Sequence, residues 1–248
     1  MRKWKGYSTV LALVLAVFMA GCCNNNGNKI LGLGTIIPVG PVPAAIPLGA
    51  AGTFRVLAGT TVTNVPSVGT TVNGDIGVWP GSTVTGFGAG QGTYTGTIYT
   101  GPGAGPAQNA QGALTTAYNA AAGLAPGAAV SGNIGGLTLA PGTYTSSSSL
   151  AISSGDLTLS GSSSAVWVFQ IGSSLTVTSG RKVILAGGAD PANIYWQVGS
   201  SATIGTTADF SGTIMSNVSI SLLTGATLHG RALARTGAVS LETNPIGP

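Results

Sequence analysis

The chain has 248 residues, including 41 glycines and 13 prolines, and only 6% of its residues are charged, against about 25% in an average soluble domain. Five acidic residues, two cysteines and one histidine leave little material for a catalytic carboxylate pair, a Cys/His metal cluster or a basic nucleic-acid-binding surface. The hydrophobic fraction of 44% suffices for a core, and the length fits one all-β domain.

The first 21 residues have the layout of an export signal. Three of the nine basic residues lie in the first five positions, which leaves six basic against five acidic residues in the rest. An apolar run, Val10–Met19, follows and is too short to cross a bilayer. Ala20, Gly21 and Cys22 come next and resemble a bacterial lipobox, although an ordinary secretory signal is the alternative. We predict a signal peptide over residues 1–21, lipidation of Cys22, and an exported protein that is anchored at the cell envelope, with the outer membrane as the default, or released.

Residues 22–47 are rich in Asn, Gly and Pro and show no periodicity. They predict a flexible tether ahead of a folded domain over residues 48–248. Cys22 and Cys23 are the only cysteines, and their adjacency argues against a disulfide framework.

One segment of the body differs from the short Val/Ile/Leu/Thr runs and Gly, Ser and Pro breaks that otherwise indicate an all-β protein. Ala110, Leu114, Ala117 and Tyr118 recur at helical spacing, with a proline before them and a glycine after them. We predict one helix over residues 106–122 that packs its small side chains against a β face.

An internal repeat indicates a solenoid. The segment Ala165–Ser174 aligns with Ala192–Ser201 at an offset of 27 residues, and looser copies begin at Gly212 and Arg231. A period of this length with short strands predicts stacked coils whose equivalent strands pair in parallel around one core. Within these strands Trp167, Phe169, Tyr195 and Trp196 are expected to fill the interior, with a sugar-stacking platform as the alternative.

Small hydroxyl residues follow the corner of each repeat. The period of two puts Leu and Val inward and the alternate residues outward. The outward set comprises Ser174, Thr176, Thr178, Ser201, Thr203, Ser219, Ser221 and Ser240. Exposure of these strands to solvent would by itself explain the many Ser and Thr residues at outward positions. A solvent-exposed face, however, normally carries Lys and Glu as well. Their absence favours a binding surface.

The remaining candidates for chemistry are weak. The sequence contains no Ser or Cys nucleophile motif that His229 could activate as a general base. We therefore expect His229 to be structural or solvated. The five acidic residues are scattered and mostly lie at turns, where carboxylates cap backbone groups. The glycine-rich run Gly86–Gly92 lacks the following helix and lysine of a phosphate-binding loop. We predict no enzyme, no metal and no cofactor.

Residues 48–246 resemble the bacterial and fungal ice-binding proteins of the DUF3494 type. The landmarks are Leu48–Phe54, Gly74–Val78, Thr116–Asn119, Leu139–Tyr144, Val168–Ile171, Trp196–Thr203 and Gly230–Ala234. The resemblance implies an irregular right-handed parallel β-solenoid (a β-helix of triangular section) with one long α-helix packed alongside.

The resemblance also implies ice binding through one flat solenoid face, which would inhibit ice growth and recrystallisation or attach the cell to ice. Its rungs would contain Ala151, Thr176, Thr203, Ser221 and Ser240, with Thr61 and Thr63 extending the face near the C-terminal rung. The full predicted site comprises Thr61, Thr63, Ala151, Ser153, Ser174, Thr176, Thr178, Ser201, Thr203, Ser219, Ser221 and Ser240. Thr83 and Thr85 are further candidates.

The expected partner is therefore an ice crystal surface, contacted by a monomer that binds no nucleic acid and meets a membrane only through the lipid on Cys22. The alternative function is a cell-surface carbohydrate-binding or adhesive solenoid, which an exposed aromatic ladder would favour. A polysaccharide-cleaving β-helix enzyme would need clustered acids or a Lys/Arg base, which the sequence does not show.

Overall fold

The structure is a computed structural model that describes residues 29–31, 35–37, 42–65, 69–101 and 105–248. The predicted signal segment 1–21 and Cys22 lie outside the described residues. Within the described ranges the strands form three sheets, and every strand pairing is parallel except one. The predicted parallel β-solenoid is thereby confirmed.

Eight strands form the sheet that carries the predicted hydroxyl residues. In spatial order they are Gly132–Asn133, Leu150–Ile152, Leu175–Val177, Ala202–Ile204, Ile220–Leu222, Val239–Leu241, Thr61–Asn64 and Thr83–Thr85. The first six follow the chain, and the last two come from the N-terminal part of the domain.

Twelve strands form a second sheet, here called the helix-side sheet because it carries the long helix. Its main path is Ala128–Ala129, Gly142–Ser146, Trp167–Ile171, Ile194–Val198, Asp209–Ser216, Thr227–Ala234, Pro245–Gly247, Thr71–Val72 and Thr93–Tyr94. A branch adds Phe54–Ala58 beside Thr227–Ala234, followed by Asp75–Val78 and Ile98–Tyr99.

Five strands form the third sheet. They are Lys29–Leu31, Thr35–Ile37, Thr138–Leu139, Leu157–Ser160 and Val183–Ala186. The first two make the antiparallel pair, and Thr35–Ile37 pairs in parallel with Thr138–Leu139. The segment predicted as a tether thus contains two short antiparallel strands that extend this sheet, because backbone groups at the sheet edge offer them hydrogen bonds.

The repeat found in the sequence corresponds to adjacent coils. Trp167 lies opposite Ile194, and Phe169 lies opposite Trp196. These side chains point inward, where Phe169 and Trp196 stack with ring centroids 3.9 Å apart and an interplanar angle of 6°. Both are 0% exposed. Trp167, Phe169 and Trp196 thus fill the interior as predicted. Tyr195 does not, because the alternation of the strand turns it outward, where it is buried between the sheet and the long helix.

The helix α1 runs from Gly105 to Ala122, one residue longer at its start than predicted. Its buried side chains pack on Val168, Tyr195 and the neighbouring outward residues of the helix-side sheet. The amide of Gln170 in that sheet donates to the carbonyl oxygens of Ala121 at 3.0 Å and Leu124 at 2.9 Å. A side chain 46 to 49 residues away in sequence thus binds carbonyls at the helix end, which intrahelical bonds leave unpaired.

Short 3-10 helices lie at Gly49–Thr53 and Pro191–Asn193. Asp190 caps the second of these, its Oδ1 accepting a hydrogen bond from the Ala192 N–H at 2.8 Å. In the part of the chain that the structure describes, no helix is long and apolar enough to cross a membrane.

A flat hydroxyl face as the candidate functional site

A column of side chains runs along the middle of the eight-stranded sheet. The register pairs each member with the next, in the order Ala151, Thr176, Thr203, Ser221, Ser240, Thr63 and Thr85. We call this set the central column. It places Thr203 between Thr176 and Ser221, as the sequence predicts, and it joins Thr63 to Ser240.

A second column lies two residues earlier along each strand. It comprises Ser149, Ser174, Ser201, Ser219, Ala238, Thr61 and Thr83, and we call it the flanking column. Thr61 and Thr83 are paired in the register. Its members approach one another elsewhere too, since the Ala238 N–H donates to Ser219 Oγ at 3.2 Å. The central and flanking columns together are called the hydroxyl face below.

The alternation of the strands brings both columns to the same side of the sheet. Residues between the columns point into the core, as Val62 and Ile220 do at 0% exposure. Neighbouring strands lie about 4.8 Å apart, and alternate residues along a strand lie about 6.6–6.8 Å apart. Threonine is also stiff at χ1 because it is β-branched. The face is therefore a two-dimensional array of small side chains with little freedom.

Threonine occupies both columns only at one end of the face. There, two adjacent strands carry a rectangle of four threonine side chains, Thr61, Thr63, Thr83 and Thr85. Elsewhere serine or alanine stands in at least one column, as at Ser221. The methyl density is thus highest in the part of the face that the N-terminal strands build.

The hydroxyls differ in whether protein groups already bind them. In the central column, no side-chain hydrogen bond to another described residue is found for Thr176, Thr203, Ser221, Ser240, Thr63 or Thr85. At the periphery the hydroxyls are engaged: Ser153 Oγ donates to Asn133 Oδ1 at 2.9 Å, and Thr178 Oγ1 to the carbonyl oxygen of Ile152 at 3.3 Å.

All twelve predicted site residues lie on or directly beside this sheet, but they are not equivalent. Ser153 and Thr178 lie just beyond their strands. Ser174 is a member of the flanking column whose Oγ lies 2.8 Å from Ser149 Oγ. Sequence reasoning left Ser149 out of the site, although its position one repeat before Ser174 could have identified it.

No charged side chain stands in either column. Glu242 follows the strand Val239–Leu241 at the border of the face, and its Oε2 accepts a hydrogen bond from Thr224 Oγ1 at 2.7 Å. Asp156 and Arg181 form an ion pair with 3.5 Å between Oδ1 and Nη1, beyond the ends of their strands. The face itself is polar but uncharged.

The other candidate groups have structural partners. His229 Nε2 lies 3.1 Å from Asp209 Oδ1 on the neighbouring strand, and both side chains are less than half exposed. Asp75 and Asp156 accept backbone N–H groups of the adjacent coil, from Thr97 and Lys182. Within the described ranges no group of three or more His, Cys, Asp and Glu side chains could hold a metal ion.

The aromatic ladder of this protein lies inside the solenoid. Tyr144, Phe169, Trp196 and Phe210 stack in sequence with ring centroids 3.9 to 5.3 Å apart, and all are 0% exposed. These rings cannot form the exposed platform that a carbohydrate-binding solenoid would use.

The coils, the lateral helix and the uncharged array define a parallel β-solenoid with one hydroxyl-bearing surface. A family model described as "Ice-binding-like" matches residues 56–247 of the chain. The protein therefore belongs to this ice-binding-like family.

Individual relatives agree with this assignment. An ice-binding protein of Nostoc sp. is 45% identical over 205 residues, which cover 80% of this chain and 72% of the relative. One from Colwellia sp. is 39% identical over 226 residues, with 86% and 87% coverage.

Solved structures show the same architecture. The crystal structure of an ice-binding protein from an Antarctic biological consortium is 48% identical in sequence and superposes with a TM-score of 0.79, covering 88% of this chain and 96% of that one. The structure of an ice-binding protein from the Antarctic ascomycete Antarctomyces psychrotrophicus is 35% identical, with a TM-score of 0.75 and coverage of 82% and 98%.

Proposed function

We propose that this protein binds ice crystals through its hydroxyl face. The observation that carries the proposal is the register of the central column, which holds Thr and Ser hydroxyls in line without charge and without protein hydrogen-bond partners among the described residues. The names of the relatives support the same ligand.

The mechanism is physical and needs no turnover, metal or cofactor. Ice presents a regular lattice of oxygen atoms. A rigid array can hold surface waters in ice-like positions, because hydroxyls anchor them and methyl groups restrict their disorder. Bound molecules then force ice to grow as curved surfaces between them, which lowers the local freezing point. A charged side chain would orient the waters differently, so the uncharged face suits this ligand.

A substitution of Thr203 by tyrosine tests the proposal. Thr203 lies in the middle of the central column, and a bulky ring there would lift the protein off a flat crystal surface. Because Thr203 lies on the surface, the free energy of unfolding should change by no more than about 0.5 kcal/mol. We expect Thr203→Tyr to nearly abolish ice shaping and thermal hysteresis while the melting temperature stays close to that of the wild type.

Thr158→Tyr is the matched control. Thr158 is also the partly exposed outward threonine of a strand, but it lies in the third sheet beside Thr138 and Ile184. It should retain full activity. Full activity of a folded Thr203→Tyr protein would place the ice-binding surface elsewhere, and a wild type that never shapes ice would refute the function.

We also propose that the protein is exported and lipidated on Cys22, which follows the signal-like segment and two small residues. An anchored monomer would attach a cell to ice, whereas a released one would inhibit ice growth and recrystallisation. Metabolic labelling with a fatty acid tests the anchor, with Cys23→Ala as the control. Label should be lost in Cys22→Ala and kept in Cys23→Ala; equal labelling of both variants would refute lipidation at Cys22.

A further inference from the structure

Two arginines stand side by side on the helix-side sheet, away from the hydroxyl face. Arg55 lies in the strand Phe54–Ala58 and Arg231 in Thr227–Ala234, and the register pairs the next residues, Val56 and Ala232. Like charges on neighbouring strand positions repel each other and destabilise a sheet. The chain has only nine basic residues, and two of them lie together here. A negatively charged group beside them would offset this repulsion.

Among the described residues, neither arginine forms an ion pair with a carboxylate. The ion pairs found there are Arg181–Asp156 and His229–Asp209. Burial lowers the pKa of both Arg55 and Arg231, and the charge of Arg55 lowers the pKa of Arg231 further. Asp190 borders the same concavity, but it forms no ion pair with either guanidinium.

Backbone carbonyls hold the two guanidinium groups in place. Arg55 Nε donates to the carbonyl oxygen of Asn73 at 3.2 Å, and Arg231 Nε donates to that of Gly52 at 3.0 Å. Arg55 Nη1 lies 3.5 Å from the carbonyl oxygen of Gly230. Since a guanidinium has five N–H donors, each arginine keeps N–H groups without an acceptor in the described part of the chain.

The concavity in front of the pair is small. Its volume is about 130 Å³, and Gly230, Pro191 and Pro248 line it together with the charged groups. Sites for drug-sized ligands measure about 300–1,000 Å³. The space therefore fits a small ion or a single group of a larger molecule.

We propose that Arg55 and Arg231 together bind a phosphate group. Guanidinium forks match the oxygens of phosphate and bind it with two parallel hydrogen bonds. A bound anion would replace the repulsion between the two cations by attraction to a shared partner. It would also stabilise the folded protein by mass action, because the site exists only in the folded state. The phosphate is either the free ion or the terminal group of a phosphate ester.

Thermal unfolding and calorimetric titration of the full chain test this site. Sodium phosphate should raise the melting temperature above that in sodium chloride at equal ionic strength. Phosphate also stabilises folded proteins generally, because it is excluded from their surface. Arg55→Gln should therefore lower this increment below that of the wild type, and it should weaken phosphate binding in the titration at least tenfold. The matched control is Arg181→Gln, which removes one positive charge from an ion pair elsewhere and should keep the increment.

Two further arms make the result decisive. Arg55→Lys keeps the charge without the fork, so it should bind phosphate more weakly than the wild type even where Arg55→Gln fails to fold. Methyl phosphate that binds as well as inorganic phosphate identifies an ester as the natural source, whereas binding of inorganic phosphate alone identifies the free ion. A wild type without a phosphate-specific increment, or equal phosphate binding by the wild type and both Arg55 variants, would overturn the proposal.

Discussion

At the level of single residues, two glycines control how closely neighbouring coils approach. Gly212 and Gly230 lie opposite each other in the helix-side sheet, with φ angles of 116° and 153°. A Cβ added at Gly230 would lie 2.0 Å from the carbonyl oxygen of Gly212, far inside van der Waals contact. Any other side chain at this position would therefore push the two strands apart.

Gly230→Ala should lower the free energy of unfolding by about 2 kcal/mol or more, because it adds backbone strain and a clash. Gly112→Ala is the opposite case. Gly112 lies in α1, where an added Cβ meets nothing within 4 Å, and the same substitution should stabilise the protein by about 0.5–1 kcal/mol. Urea unfolding of both variants measures the two effects. Equal effects of the two substitutions would contradict this account.

At the level of elements, α1 is held by a stripe of small side chains. Ala107, Ala110, Ala117 and Ala121 are buried at 0–1% exposure, and α1 lies against the helix-side sheet through them. The short side chains allow the helix axis to approach the sheet closely. The sequence predicted this helix because alanine at helical spacing stands out in a chain otherwise built of short strands.

Ala117→Leu should destabilise the protein by about 1–3 kcal/mol, since a larger side chain cannot fit between helix and sheet without displacing one of them. Ala120→Leu adds the same atoms to the exposed side of the same helix. It should change stability by no more than about 0.5 kcal/mol. Chemical denaturation of the pair separates packing from helix propensity, which is identical in both. A neutral Ala117→Leu would mean that the interface is loose.

At the level of the whole molecule, the order of coils in space differs from their order in the chain. The strand Thr61–Asn64 pairs with Val239–Leu241, so an N-terminal segment stacks on the last C-terminal coil. The hydroxyl face therefore continues across a break of more than a hundred residues in sequence. Its densest threonine array depends on this junction.

If the face acts as one surface, Thr63→Tyr should lower thermal hysteresis strongly, as Thr203→Tyr should, although the two residues lie on different coils. The matched control is Thr71→Tyr, an exposed threonine in the helix-side sheet beside Pro245, which should keep full activity. Measurements of thermal hysteresis and of the melting temperature test both variants. Full activity in a folded Thr63→Tyr protein would confine the ice-binding surface to the coils around Thr203.

The sequence by itself determined the features that repeat. The offset of 27 residues predicted adjacent coils, and the alternation of apolar and hydroxyl residues predicted which side of each strand faces outward. Helical spacing of alanines predicted α1 to within one residue. These features follow from local geometry, because strand and helix periods impose a pattern on consecutive residues whatever their distant neighbours.

Only the tertiary structure decided what depends on residues far apart in the chain. It showed that the hydroxyls of Ser153 and Thr178 bind protein groups while that of Thr203 has no described partner. It paired Thr35–Ile37 with the third sheet, where composition predicted a flexible tether, and it brought Arg55 beside Arg231. No sequence period signals such contacts, because each arises where the stacking of the coils places two distant segments side by side.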